Sequence, residues 1–411
     1  MAAPSQANRS LLPENWGLLY AAFAFSQGIG LISYWTLPLL AGALLAGLGL
    51  STTEVGLLGT IEFIGLLGAS LLLAPFVDRG FRRAAALVSV VIIVAANLAS
   101  AFAPPEFWTL AGLRFVAGLG AGLALAIGNA TIANARDPER FSSHLTLALV
   151  AFMVVVMPIV ARLSGAYGYQ GVFLALAGIV MIGAVSLIFL PNGPNADLPD
   201  EAADAGAGLG ANTLLTAVGL VVLTVALLFG ARDTLPWLVA EQLGSDAGMS
   251  VSEVGDLFSL MYAVSIAGPV SMLLLTRIFG PKTLLFLAMT ATGLFAWMFT
   301  VSDGDAQQFS VGIIAWATIY FIAFAQLNAV AALFDRSGRL VSAVGSSFIA
   351  GVVIAPVVGG YLIDLGGYGV IGAAELALTA LIAAIIIFGL PGGASKSAGT
   401  TATLKANHAG R

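Results

Sequence analysis

Two charges stand side by side in "FGARDTLPWL" (229–238), Arg232 and Asp233, after a stretch with no charge from Leu214 to Leu228. A guanidinium in apolar surroundings can hold an anion through paired hydrogen bonds. A carboxyl there can load and release a proton, because burial penalises its charged form. Neighbours on a helix point about 100° apart, so the two side chains are expected to diverge instead of neutralising each other. Arg232 would then face a cavity as an anion site, while Asp233 pairs elsewhere or carries a proton. The alternative places both at an outer water boundary, with the helix ending early. Glu62 in "TIEFIGLLGAS" and Arg114 in "LAGLRFVAGLGAG" are isolated charges of the same kind. Glu62 could couple protons, partner a basic residue, or lie at a packing or lipid face. Arg114 could clamp a carboxylate or be structural. A charge near a bilayer centre costs about 2.5–3.5 kcal/mol on insertion scales, so each of the four needs a reason to be there.

The elements that position them are membrane helices. Of 411 residues, 59% are hydrophobic and 9% charged, with mean hydropathy +1.00; a soluble surface of this size needs far more charge. The chain has no Cys, and its two histidines, His144 and His408, are far apart. Thiolate metal sites are thereby excluded, and most metalloenzyme and Ser-His or Cys-His chemistry is removed with them; no cofactor, metal or nucleic-acid partner is expected. The start, "MAAPSQANRSLLPEN", lacks the features of a cleaved signal peptide and reads as a cytoplasmic tail (1–15). The end (391–411) is Gly/Ser/Thr/Ala-rich.

Apolar runs of bilayer length fall at 16–45, 53–75, 84–103, 107–133, 142–165, 170–191, 213–243, 252–276, 282–301, 308–333, 342–364 and 368–390. The first and seventh are too long for a perpendicular span, which predicts tilt or a break. With both termini inside, thirteen of the sixteen basic residues fall in cytoplasmic segments, a positive-inside pattern. Arg114, Arg162 and Arg232 are the other three, all within predicted helices. A polar, acidic linker at 192–212 separates a six-helix bundle at 16–191 from another at 213–390. The expected fold is an all-α polytopic membrane protein of twelve transmembrane helices in two pseudo-symmetric bundles, a monomer in a bacterial cytoplasmic (inner) membrane.

The halves repeat at an offset of 198 to 199. Thr36-Leu37-Pro38 matches Thr234-Leu235-Pro236, Glu54 matches Glu253, Asn129 matches Asn328, Arg140 matches Arg339 and Pro158 matches Pro356. Such duplication marks secondary transporters, whose halves rock about a midplane site. "APFVDRGFRRAAAL" (74–87) resembles the signature loop of the major facilitator superfamily through Asp78, Arg79, Arg82 and Arg83. Arg114 and Gly118 match that family's fourth-helix motif, and "APVVGGYL" (355–362) has its eleventh-helix look. The resemblance implies that helices one, four, seven and ten line a central cavity. It also implies that Asp78, Arg79, Arg82 and Arg83 latch the halves at the cytoplasmic side, with Asp78 near the start of helix eleven at Ser342.

Gln27, Tyr34, Trp35, Asn129 and Asn328 are further candidates for the cavity, although Tyr34 and Trp35 could equally anchor at the interface. Arg162 and Asp364 fall near outer helix ends, as boundary residues or outer-gate contacts, and Glu375 is expected to be peripheral. The glycines 118, 120, 122 and 128 read as close helix packing. Together these predict alternating-access uptake of a small organic anion, possibly an aromatic acid, by proton symport. Arg232 and Arg114 would bind the anion, and Glu62 or Asp233 the proton. The rival is proton-coupled export of drugs or lipophilic compounds, although "FMVVVMPIVARLSG" keeps only Pro158 of the export motif of helix five. An enzyme lacks a clustered catalytic set here, and a channel lacks a repeated filter segment.

Overall fold

The computed structural model describes residues 15–77, 80–132, 135, 138–193, 214–335 and 339–391, with only the backbone described at 138–140, 142 and 273. Asp78 and Arg79, most of the linker and both tails lie outside the described residues. The first span is broken. It consists of α1 (Trp16–Phe23), a π-helical turn (Ala24–Ile29), α2 (Ile32–Trp35) and α3 (Leu37–Leu48). There follow α4 (Thr52–Leu73), α5 (Arg82–Phe102), α6 (Phe107–Ile132) and α7 (Pro138–Ala184). The seventh span is also interrupted, as its length predicted: α8 (Ala217–Trp237) ends just after Pro236, and α9 (Ala240–Asp246) continues it. The rest are α10 (Val251–Ser265), α11 (Ala267–Ile278), α12 (Pro281–Thr300), α13 (Ala306–Phe334), α14 (Arg339–Gly366) and α15 (Tyr368–Gly389).

Among the described residues, ten helices are long and apolar enough to cross a membrane. One of them, Ser143–Phe189, doubles back at Gly168, whose φ of 60° and ψ of −147° leave the helical region. Counting it twice and adding the broken first span gives twelve crossings, each within a few residues of its predicted place. The paired glutamates of the repeat have a local cause. Glu54 and Glu253 each close a capping box, with Ser51 and Ser250, at the starts of α4 and α10. The small residues of α6 also act as expected. A Cβ at Gly118 would overlap the Glu62 carbonyl, and one at Gly122 the Leu66 carbonyl, so α4 and α6 pack backbone to backbone.

The halves meet at the end opposite the basic loops, along two seams that repeat one another. In the first, Thr60 Oγ1 donates to the Val353 carbonyl at 2.8 Å, and Gly56 lies against the Pro356 carbonyl. In the second, Ser259 Oγ donates to the Val154 carbonyl at 2.7 Å, and Gly255 lies against Met157 and Ala161. Each residue of the second seam that answers one in the first is 199 positions from it. Polar contacts tighten both. Asp364 accepts from the backbone N–H groups of Thr52 and Thr53 (3.2 and 2.8 Å) and from the Thr53 hydroxyl. Arg162 and Asp256 form a two-point ion pair at 2.9 and 3.1 Å. Between the seams, the Glu241 carboxylate of α9 rests on Gly42 of α3, and Trp237 Nε1 donates to the Tyr34 carbonyl at 3.1 Å. Arg162 and Asp364 thus join the halves and do not merely mark a boundary.

Candidate functional site

Where the seams stop, the halves part around a cavity of about 630 Å³, a volume suited to a drug-sized molecule. Its floor is buried and aromatic, with Tyr34, Phe63, Tyr320 and Phe348. Its mouth, at Leu71, Ala74 and Ser342, is exposed and lies at the end carrying the basic loops. The cavity therefore faces one side only, closed at the other by the two seams.

The π-helical turn presents Gln27 to this space. Such turns add a residue to a helix and cluster at functional sites; here the following break frees Tyr34 and Trp35 to reach the same wall. Trp35 Nε1 donates to Gln27 Oε1 at 3.3 Å, fixing both side chains. Asn129 lies on the opposite wall with Ser70 and Thr146. Of the sequence-stated polar and aromatic candidates, Gln27, Tyr34, Trp35 and Asn129 come together. Asn328 does not: its amide donates to the Phe324 carbonyl at 2.9 Å within its own helix and is not part of the lining. Missed by the sequence are Phe63, Tyr320, Phe321, Phe324 and Phe348, whose rings cover the cavity from α4, α13 and α14. Tyr320 lies 5.2 Å from Phe229, 5.6 Å from Trp316 and 6.3 Å from Phe348, ring centre to ring centre. Phe324 and Phe348 lie 5.3 Å apart. The signal was there in "FIAFAQ" and its aromatic neighbours, but aromatics in membrane helices are common enough to pass as packing.

The intramembrane charges all turn away from the cavity. Arg114 donates to Asn97 Oδ1 (3.1 Å) and Ser100 Oγ (2.7 Å), stands 4.5 Å over the Phe173 ring and meets Glu62 at 3.6 Å. Both are buried between α4, α5, α6 and α7, which is the arrangement of a structural pair. Arg232 and Asp233 depart further from expectation. They do pair, with Arg232 Nε and Nη2 donating to Asp233 Oδ2 at 2.9 and 2.6 Å. The arginine side chain is long enough to reach its neighbour in spite of the helical angle between them. Arg232 also donates to the Met289 carbonyl (2.8 Å) and Thr292 Oγ1 (2.6 Å) of α12, and Trp316 Nε1 donates to Asp233 Oδ1 at 2.6 Å. At 0% and 1% exposure, neither residue sits at a water boundary, and Arg232 does not face the cavity. Glu375 is not peripheral: it is fully buried, 4.0 Å from Arg232.

At the basic end, Arg83 ties the start of α5 to the end of the sixth span, its Nε donating to the Leu190 carbonyl at 2.6 Å. That contact stays within the first half of the chain. Arg82 is buried. Asp78 and Arg79, expected to form the latch with them, lie outside the described residues.

A family model described as Major Facilitator Superfamily matches residues 18–232, just over half of the 411-residue chain. The chain belongs to the Major Facilitator Superfamily. Its twelve crossings and one-sided cavity are those of an integral membrane protein of that superfamily. Multidrug resistance protein MdtL of Klebsiella pneumoniae subsp. pneumoniae is 25% identical over 247 residues, 58% of this chain and 61% of the relative. The chain thus spans about three fifths of that curated relative's length. A "Gentisate transporter" of Corynebacterium glutamicum is 27% identical over 177 residues, 41% of this chain and 39% of the relative. Among solved structures, nucleoside transporter NupG (D323A mutant) superposes with a TM-score of 0.73 at 12% identity, covering 92% of this chain and 100% of that one. A D-xylose-proton symporter superposes with a TM-score of 0.67 at 14% identity, covering 91% and 97%. These structures share the superfamily fold.

Proposed function

We propose that this superfamily member exports lipophilic aromatic compounds, neutral or singly cationic, by alternating access in exchange for protons. The observation that carries the proposal is the lining. Seven aromatic residues and a few hydroxyl and amide groups face the cavity, and among the described residues no charged side chain lines it. A desolvated carboxylate or phosphate would find no counter-charge there. A flat apolar molecule gains ring contacts, and a cation gains attraction to ring faces of about 0.5–2 kcal/mol each. The likeness to a multidrug resistance protein over three fifths of its length supports the same reading. It reverses the order suggested by the three arginines, because those residues hold helices together instead of facing cargo.

In this reading the cavity opens to the cytoplasm, where the basic loops and both termini lie in an inner membrane. The chain works as a monomer, and the bundles 16–191 and 213–390 rock about the seams. Glu62 and Asp233, each paired with an arginine, stay as structural anions in this conformation and leave the exchanged proton to another group, and Asp78, Arg79, Arg82 and Arg83 latch the cytoplasmic side when it closes.

Uptake of an aromatic acid is the second reading, favoured by the likeness to a gentisate transporter. A thermal-shift titration separates them, using purified protein with lipophilic aromatic cations, neutral aromatics and hydroxybenzoates. Stabilisation by cations or neutral aromatics, lost in Phe348→Ala and Tyr320→Ala, supports export. Stabilisation by hydroxybenzoates alone, surviving both substitutions, overturns it.

A further inference from the structure

Three charged groups share one apolar compartment of the second half, and they do not balance. Arg232 supplies one positive charge, and Asp233 and Glu375 supply two carboxyl groups. Asp233 is provided for as an anion, with two bonds from Arg232 on one oxygen and the Trp316 indole on the other. Glu375 is not. Both its oxygens are buried without a hydrogen-bond partner among the described residues, and its nearest cationic atom, Arg232 Nε, stands 4.0 Å away and is already bonded to Asp233. The Thr379 hydroxyl, one turn along, donates to the Glu375 backbone carbonyl instead (2.6 Å).

A buried carboxylate without donors costs several kcal/mol, whereas a carboxylic acid is neutral and leaves one Arg–Asp pair. We infer that Glu375 is a proton-binding site of the transport cycle and is protonated in this conformation, an inference that rests on the proton-driven reading above for its role in transport. The charged groups facing it are Arg232 and Asp233 of α8. From α12 it meets the side of the compartment carrying Thr292 and the Met289 carbonyl, which Arg232 uses. The other charges of its packing neighbours sit at helix ends: Lys282 of α12, held by the carbonyls of Ile387 and Leu390, and Arg339 and Asp364 of α14.

Release follows simple chemistry. The Glu375 O–H bond breaks, the proton passes to water, and the carboxylate competes with Asp233 for Arg232. The first half offers no such competition, since Glu62 and Arg114 pair one to one. As Arg232 is drawn toward Glu375, Asp233 loses donors and its hold on Trp316 changes. Trp316 stacks on Trp237 at 5.6 Å and packs on Tyr320 at the cavity floor. Trp237 in turn grips Tyr34 of the other half. The proton state of Glu375 thereby reaches both the cavity and the closed seam.

Infrared difference spectra of the purified full chain test the site without needing transport. The wild type at neutral pH should show a protonated-carboxyl carbonyl band that is absent in Glu375→Gln and kept in Glu62→Gln; Asp233→Asn, which frees Arg232 to pair with an ionised Glu375, should lose it too. Absence of the band in the wild type, or its persistence in Glu375→Gln, overturns the inference. In proteoliposomes, using a lipophilic aromatic cation as probe, Glu375→Gln should keep substrate exchange at zero pH gradient and lose at least tenfold of gradient-driven transport, with Glu375→Asp restoring part. Gradient-driven transport equal to wild type in Glu375→Gln overturns the role in transport. A wild type with the band but no response to a gradient would refute the proton-driven reading and leave the site standing.

Discussion

Isoleucine at Gly56 should hold the seams open. In the closed seam a Cβ at position 56 would lie 2.7 Å from the Pro356 carbonyl carbon and 3.1 Å from Val357 Cα. Carbon atoms in contact prefer about 3.5–4.0 Å, so α4 and α14 must part by about 1 Å to admit even a methyl group. Both neighbours are backbone and cannot rotate aside. Overpacking of this kind costs about 1–3 kcal/mol. The cost falls only on the conformation in which the seam is closed, so the equilibrium should move by about 5–150-fold toward the opposite-facing state. The chain has no cysteine, so a single Ser346→Cys on the cavity wall gives a clean reporter. Its alkylation by a soluble maleimide should slow by that factor in Gly56→Ile, with transport slowed as well. Gly68→Ile on the same helix is the control, because nothing lies within 4 Å of a Cβ there. Equal alkylation rates in Gly56→Ile and Gly68→Ile would refute the reasoning.

Thr60→Val and Ser259→Ala each remove one hydroxyl–carbonyl bond from one seam, about 0.5–1.5 kcal/mol apiece. The same alkylation assay should show a shift of about 2–10-fold for each, and a near-additive shift for the pair. Arg114→Gln leaves Glu62 as a lone buried carboxylate and should cost about 3–5 kcal/mol. In a detergent melt its midpoint should fall well below that of the Arg114→Gln/Glu62→Gln double variant. Asn129→Ala should weaken binding of an aromatic probe by about 2–10-fold, the loss of one hydrogen bond, while Asn328→Ala leaves the dissociation constant unchanged.

The scaffold was legible because bilayer length, basic-residue sidedness and the internal repeat are all properties of residue type along the chain. Glu54 and Glu253, matched by position alone, prove to be the same capping device used twice. The direction in which a side chain points was less accessible. Arg232 belongs to the second half's interior because Met289 and Thr292 of α12 offer it acceptors there, and no local pattern reveals which neighbouring helix will do so. Asn129 and Asn328 are equivalent in the repeat, yet one faces the cavity and the other satisfies its own helix. Helix rotation separates them, and a few tens of degrees suffice. Glu375 looked unremarkable because its importance lies in a charge count over three side chains from two helices.

Gly42 and Glu241 are each other's counterparts in the repeat, 199 positions apart, and they touch. A residue that meets its own counterpart lies on the axis relating the halves, so the repeat offers no second copy of that contact. Neither residue would fit against a copy of itself. Two glutamates would crowd two like charges into one space, and two glycines would leave a void. Close packing on the axis thus favours unlike residues there: a glutamate on one side needs a residue as small as glycine on the other.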